Sequence, residues 1–237
     1  MNAATVGFFT PVQTLTAYEI GVKHQVQNWL YYSIAAYQFD WKNQVFADLS
    51  PGFVPLNLPG DSKIRGIDFE ANVNPVSWLR VTVGVNYNDI ELQNFGAAGS
   101  LANAVLAPGL ITGGVQIDSA GKRPRWNPEI TGNLSADFDL GEILSYEPGA
   151  FFRVDALYTG SFFVDNFEFA NVPGYWKFNA RIGANVTENF GIEIYGNNLT
   201  NNLSWTTQGG DTGSGINRKS FGVLPRKREV GFSPSYS

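Results

Sequence analysis

The sequence predicts an all-β chain, an antiparallel up-and-down sheet of the transmembrane β-barrel type, on three observations. Polarity alternates with period two: from Trp78 to Asp89, Leu79, Val81, Val83, Val85 and Tyr87 fall on one side, and Arg80, Thr82, Gly84, Asn86 and Asn88 on the other. Such stretches run about ten residues, which at about 3.3 Å per residue suits a tilted strand crossing a hydrocarbon layer of about 30 Å. Strands of ordinary globular sheets are about half as long. Finally, short and long connections alternate along the chain, so tight turns share one end and long loops the other, as in outer-membrane barrels.

Taken in order, the strands are expected at Tyr18 to Val26, Trp29 to Val45, Gly66 to Asn74, Trp78 to Asp89, Glu129 to Leu140, Ala150 to Val164, Trp176 to Thr187, Phe190 to Asn198 and Lys227 to Tyr236, about nine in all. Alternation is nearly unbroken in the third, fourth, fifth and seventh. In the second, the apolar phase passes from Leu30, Tyr32 and Ile34 to Tyr37, Phe39 and Trp41, which reads as a β-bulge at Ala35 and Ala36. The tight connections are Gln27-Asn28, Pro75-Val76-Ser77 and Thr187-Glu188-Asn189, with a moderate one from Leu140 to Gly149. The long ones are Asp48 to Asp61, Leu92 to Trp126, Asp165 to Gly174 and Thr200 to Pro225, all rich in Gly, Asn, Pro and aromatic residues. A three-residue loop at Thr187 to Asn189 sets Val186 opposite Phe190, Ala184 opposite Ile192, Ile182 opposite Ile194 and Arg181 opposite Tyr195.

Composition narrows the function. A net charge of −5 argues against a nucleic-acid partner, which needs a basic face. No Cys and a single His leave no thiol metal site and no dedicated transition-metal site, so no cofactor is expected. No run of 18 apolar residues occurs, hence no transmembrane helix. The opening "MNAATVGFFTPV" has no basic n-region, apolar h-region or small-residue cleavage site and does not read as a secretory signal.

The polar side of the strands carries Asp68, Glu70, Arg80, Arg153, Asp155, Arg181 and Glu193, with Asp137, Asp139 and Lys177 in the same phase. In a wide wet lumen such residues pair across strands or dock a plug. As an acid/base site they lack a nucleophile, a metal or oxyanion donors, and no enzyme activity is expected. His24 falls on the apolar phase, unsuited to the Ser/His pair of a barrel phospholipase. Trp29, Trp78 and Phe190 follow short turns, and Tyr87, Trp176 and Tyr158 lie toward the long loops, as two membrane-interface girdles would. Arg218, Lys219, Arg226, Lys227 and Arg228 form a basic cluster at the expected outer rim, suited to lipopolysaccharide phosphates or an anionic ligand. "GGDTGSG" lacks the Lys and helix of a phosphate-binding loop.

Five segments together resemble the β-barrel of TonB-dependent outer-membrane receptors. "AYEIGVKHQVQNWLYYSIAAYQFDWKNQV" resembles that family's "YElGlK" strand and its aromatic-rich partner. "SKIRGIDFEANVNPVSWLRVTVGVNYND" resembles its "GxExE…P…L" hairpin, with Asp68 in place of the first Glu. "GKRPRWNPEITGNLSADFDL" resembles a "P…P" lead-in to a strand, "YGNNLTNN" an "NLxN" strand end, and "LPRKREVGFSPSYS" the terminal "PR…G…Y" strand. The terminal strand departs in ending on Ser237 after Tyr236, where the family has an aromatic residue.

The resemblance implies that residues 1–237 are the C-terminal part of a barrel of about 22 strands, in the outer membrane of a Gram-negative bacterium. It implies import of a ferric siderophore or similar scarce nutrient past an N-terminal plug that engages TonB. The plug is expected to be absent from this chain, so the implied partners are the remaining barrel strands and plug, TonB through that plug, and outer-membrane lipid and lipopolysaccharide. Nine strands place the first and last parallel, so closure would need a parallel seam or a tenth strand from "NAATVGFFTPV", which is short and interrupted by Pro11, and this chain alone is not expected to close. The alternative is a soluble or surface all-β glycan-binding module using loop aromatics such as Trp126 and Trp205; it would need no detergent, whereas a barrel wall would aggregate without it.

Overall fold

The computed structural model describes residues 12–49, 55–93, 120–164, 168, 171–204, 207–211 and 220–236. Alternation of side chains across two faces gives long strands: β1 (Thr14–Val26), β2 (Leu30–Leu49), β3 (Pro55–Val76), β4 (Leu79–Gln93), β5 (Ile130–Asp139), β6 (Ala150–Thr159), β9 (Tyr175–Thr187), β10 (Phe190–Asn197) and β13 (Glu229–Tyr236). They form one nine-stranded sheet in the order β1-β2-β3-β4-β5-β6-β9-β10-β13, each antiparallel to its neighbours. Two small hairpins stand apart from it: β7 (Phe162–Phe163) with β8 (Asn171–Val172), and β11 (Thr207–Asp211) with β12 (Ser220–Val223). Among the described residues a short helix, α1 (Leu140–Leu144), sits between β5 and β6. Among the described residues no helix is long and apolar enough to cross a membrane.

The registers join the predicted faces into two continuous surfaces. Ile34 pairs with Val22 and Phe69, Phe69 with Val85, Val85 with Gly132. One residue along, Ala35 pairs with Asp68, Asp68 with Asn86, Asn86 with Thr131. We call these the Phe69 face and the Asp68 face. Among the described residues the Phe69 face is left open: Ile182 and Ile194, paired with each other on interior strands, are 48% and 51% exposed. Among the described residues, the cluster of buried hydrophobic side chains is Phe162, Val164 and Val172, with Tyr175 packed against it. A soluble module of this size would place a core on one of its sheet faces.

Several expectations are corrected. The bulge predicted at Ala35 and Ala36 is not there, since pairing runs unbroken from Leu30 to Trp41 on both sides. The apolar phase does change, but the backbone does not. On the Phe69 face, the row Ile20, Ala36, Ile67 and Tyr87 is followed by Tyr18, Gln38, Arg65 and Asp89, then by Thr16, Asp40, Lys63 and Glu91. On the Asp68 face the same step takes Glu19, Tyr37, Gly66 and Asn88 to Ala17, Phe39, Ile64 and Ile90. The two faces exchange polarity at one level across four strands. The real irregularity falls between Trp41 and Gln44, where Asn43 has φ 55° and its N–H donates to Asp61 Oδ1 at 3.1 Å.

Asp48 to Asp61 was expected as a loop. β2 and β3 instead continue as paired strands of 20 and 22 residues, out to Leu49 and Pro55. The strand expected through Val164 stops at Thr159. Its neighbour β5 begins at Ile130, Gly160 N–H makes a last bond to Ile130 O at 2.8 Å, and the Trp126 N–H then holds Phe163 O at 2.7 Å, away from the sheet. Pro75 and Val76 belong to β3, leaving Ser77-Trp78 as the turn, with a register shift between Val73 and Val76 that accommodates the Pro. In the last short turn Ala184, Ile182 and Arg181 meet Ile192, Ile194 and Tyr195 as predicted, but Phe190 pairs with Thr187. The loop is two residues and Val186 is bulged out, which costs one partner and keeps the faces in phase. The moderate connection Leu140 to Gly149 contains α1, whose first turn is capped by Asp139 accepting from the Glu142 N–H at 2.9 Å.

Gly66 and Gly231 are among the glycines that close approach requires. A Cβ on Gly66 would run into the Tyr37 ring and the Tyr87 carbonyl, and one on Gly231 into the Tyr195 ring. In each case an aromatic ring on the Asp68 face lies across a cross-strand glycine, covering backbone that would otherwise have no side chain over it.

Candidate functional site

The Asp68 face is where the sequence-predicted polar residues meet. Asp68 accepts from the Asn86 side-chain amide, which also donates to the Tyr37 hydroxyl at 3.2 Å. Thr82 donates to Asn72 Oδ1 at 2.9 Å, on the same face. Glu70 is exposed between Ser33 and Gly84. Arg80 donates to Asn74 Oδ1 at 3.3 Å. Further along, Arg153 bridges two carboxylates: Asp137 on the neighbouring strand at 3.0 Å and Asp155, two residues on in its own strand, at 2.8 Å. Arg181 and Glu193 stand 3.9 Å apart across β9 and β10. The predicted residues therefore share one wall but not one cluster. Spread over six strands, they make a polar surface of mixed charge, and among the described residues nothing in the wall aligns a base with a nucleophile.

At the short-turn end, this wall holds a cavity of about 500 Å³ lined by Asn74, Arg80, Asp137, Asp139, Asn185 and Glu193 among others. Its floor is tied together by the turns. The Tyr146 hydroxyl donates to Asn185 O at 2.8 Å, the Asn185 side chain donates to Pro148 O at 2.6 Å, and Ser77 donates to Glu142. Donors and acceptors are both offered, which suits a polar polypeptide segment better than a small apolar ligand. Among the described residues no group of three or more His, Asp or Glu is placed to hold a metal ion.

At the long-loop end the same face becomes aromatic. Tyr37 and Phe39 stack at 5.0 Å with 19° between their planes, and Trp41 donates to Gln13 Oε1 at 3.2 Å. Beside them lie Ile64, Ile90 and the fully buried Leu92. The sequence suggested a bulge here, and so this row was missed; the signal was the aromatic triplet itself, read in unbroken phase.

The loop segments are held by defined contacts. Arg123 pairs with Glu129 at 2.8 Å and reaches the Phe163 ring at 4.8 Å, while Lys122 meets Glu168 at 3.5 Å. Within "YGNNLTNN", buried Asn198 adopts φ 50° and clamps two segments: its amide donates to Asn202 O at 2.8 Å and Arg226 O at 3.1 Å, and its carbonyl accepts from the Asn202 N–H at 2.8 Å. Asn201 Oδ1 takes the Arg228 N–H at 3.0 Å. These bonds fix the backbone of the 226–228 segment and leave Arg226, Lys227 and Arg228 exposed. Arg218, Lys219 and Trp205 lie outside the described residues.

The predicted interface aromatics fall at different heights: four lie in turns or at strand starts, and Tyr87 lies in the middle of β4. Trp29 and Trp78 lie in the short turns, where Trp78 stacks on Phe138 at 6.4 Å, and Phe190 is the first residue of β10. Tyr87 and Trp176 are 43% and 47% exposed, and Trp176 meets Tyr158 at 4.9 Å across the strand pair.

The family profile described as TonB dependent receptor-like, beta-barrel matches residues 5–199. The chain belongs to the TonB-dependent receptor β-barrel family. Its members are outer-membrane transporters of Gram-negative bacteria, which places this chain in that membrane. Its fold is that of solved siderophore receptors. The ferric yersiniabactin uptake receptor FyuA from Yersinia pestis superposes with a TM-score of 0.73 at 15% identity, over 94% of this chain and 30% of that one. The siderophore receptor PiuA from Acinetobacter baumannii gives 0.66 at 18%, over 94% and 28%. The pyoverdine receptor FpvA from Pseudomonas aeruginosa PAO1 gives 0.64 at 15%, over 95% and 30%. The chain thus spans under a third of the length of these receptors, and the antiparallel sheet is an arc of their barrel.

Proposed function

We propose that this TonB-dependent receptor segment is the substrate-facing wall of an energised importer of a ferric siderophore or similar scarce nutrient. The aromatic row of Tyr37, Phe39 and Trp41 above the polar wall carries this reading, because it gives the Asp68 face a stacking surface at the end where the long loops gather. In this reading the Asp68 face is the lumen and the Phe69 face meets lipid. Lys177, Arg181, Arg153 and their carboxylates line the lumen, and Trp29, Trp78, Phe190, Tyr87 and Trp176 mark the two interfaces. Arg226, Lys227 and Arg228, with Arg218 and Lys219, contact the anionic ligand or lipopolysaccharide at the rim.

The wall is completed by other strands. β1 and β13 run in the same direction at the two ends of a nine-stranded antiparallel sheet, each paired on one side among the described residues. Unpaired backbone groups in hydrocarbon cost several kcal/mol each, and single-chain bacterial barrels have an even strand number. Roughly thirteen further strands, as in barrels of about 22, would close the edges. The cavity at the short-turn end is then the seat of a plug, through which TonB would act, and the chemistry of this chain is binding and passage with no enzyme step.

Iron uptake by a strain carrying the chain with its remaining strands and plug tests the proposal. Two stacking rings worth about 1 kcal/mol each make the Phe39→Ala, Trp41→Ala double variant bind its ferric ligand roughly thirty-fold more weakly. Unchanged binding, or release of the wild-type chain from membranes without detergent, contradicts the proposal.

A further inference from the structure

The exchange of polarity on β1 to β4 has an outer side as well as an inner one. Beyond Ile20, Ala36, Ile67 and Tyr87, the lipid side presents Gln38, Arg65 and Asp89, then Asp40, Lys63 and Glu91, at successive rows of one unbroken register. This band adjoins the apolar face directly, on the same strands and toward the long loops. Arg65 is exposed and points away from the lumen; its Nε reaches only the Gln38 side chain, at 3.4 Å. Carboxylates stand beside both cations across the strands, yet among the described residues neither Lys63 nor Arg65 is in an ion pair. Cations one and two rows past a hydrocarbon boundary, with no ion pair among the described residues, face whatever fills the headgroup layer.

We infer that Lys63 and Arg65 form a contact site on the outer wall for the phosphate groups of the outer leaflet's glycolipid, lipopolysaccharide. Guanidinium matches phosphate oxygens two at a time and ammonium adds a point charge. The neighbouring Asp40, Asp89 and Glu91 suit a layer in which divalent cations already bridge phosphates, and they discourage free anionic lipid that lacks those cations. The inference rests on the lipid assignment of the Phe69 face. It places a lipopolysaccharide contact on β3, on the barrel flank below the loops, separately from the basic cluster at Arg226 to Arg228.

The test uses the receptor assembled with its remaining strands and plug in detergent, with resistance to denaturation before heating as the check of assembly. Purified lipopolysaccharide, the same material enzymatically dephosphorylated, and phosphatidylglycerol are each added, and the unfolding temperature is read. The inference expects lipopolysaccharide alone to raise it, and Lys63→Ala with Arg65→Ala to remove at least half of that rise. Arg80→Ala, on the lumen wall, keeps the whole rise. An assembled receptor whose double variant responds like wild type overturns the inference alone, as does an equal response to the dephosphorylated or phosphatidylglycerol additions. Failure of the wild-type chain to assemble overturns the barrel reading and this inference with it.

Discussion

The lower and upper parts of β2, β3 and β4 are the same strands in the same register, yet they have opposite chemistry. Below the row of Ala36, Ile67 and Tyr87, the Phe69 face carries Ile34, Phe69 and Val85 and the Asp68 face carries Asp68, Asn86 and Glu70. Above it, the Phe69 face carries Gln38, Arg65 and Asp89 and the Asp68 face carries Phe39, Ile64 and Ile90. A strand fixes only that neighbours alternate; the surroundings decide which set is apolar. Hydrocarbon outside and water inside demand one pattern, and a hydrated headgroup layer outside with a loop-lined mouth inside demands the other. Twenty residues in β2 reach about 66 Å at about 3.3 Å each, well beyond a hydrocarbon layer of about 30 Å even when tilted, so both surroundings are met by one strand.

The largest effects should separate the two parts. Arg in place of Val83 or Ile182, on the lipid side of the lower part, should cost on the order of 2–4 kcal/mol, read as a lowered denaturant midpoint in liposomes. Arg at Gln38, outward but above the boundary, should cost under about 1 kcal/mol, and so should Arg at Thr82 on the lumen side. Asn185, which alternation also assigns to the lumen, is a poor control, because its side chain clasps Pro148 O. Equal costs at Val83 and Gln38 would erase the boundary.

A second pair of effects sharpens how the lower wall is packed. Gly66→Leu should lose on the order of 1–3 kcal/mol by collision with Tyr37 and the Tyr87 carbonyl. Tyr37→Ala should recover only part of it, since the carbonyl stays, and thermal unfolding of single and double variants reads the difference. Asn198→Ala should cost about 1–3 kcal/mol by leaving buried partners unsatisfied. Its signature is faster proteolysis between residues 199 and 204. Arg153→Ala is the smallest: its ion pairs are partly open to solvent, and the loss should stay under about 1 kcal/mol and shrink in salt.

How much of this was legible follows from what sets each feature. Period-two alternation records a face, so the nine strands, their two sides and three of the four pairs around Val186 could be read directly. Turn length depends on one bulged residue, and nothing in "NVTENF" distinguishes a three-residue loop from a two-residue loop with Val186 extruded. The phase change at Ala35 and Ala36 was visible but ambiguous, since an extra residue and a change of surroundings produce the same string; only unbroken pairing on both sides separates them. The continuation of β2 and β3 to Leu49 and Pro55 was hidden by the Gly and Pro residues around it. The polar wall could be listed residue by residue, but Arg153 between Asp137 and Asp155, or Asn198 across Arg226, needs the register to bring strands together.

The boundary itself can be measured directly. The chain contains no cysteine, so single cysteines at Ile34, Ala36, Gln38 and Asp40, and at Tyr37, Phe39 and Trp41, can carry a nitroxide label in the assembled receptor in bilayers. Collision with oxygen, which concentrates in hydrocarbon, is compared with collision with a water-soluble nickel chelate. The account predicts oxygen-dominated labels at Ile34 and Ala36 and chelate-dominated labels at Gln38 and Asp40, with no oxygen preference at Tyr37, Phe39 or Trp41. Lipid-like labels at Gln38 and Asp40, or at Phe39 and Trp41, would contradict it.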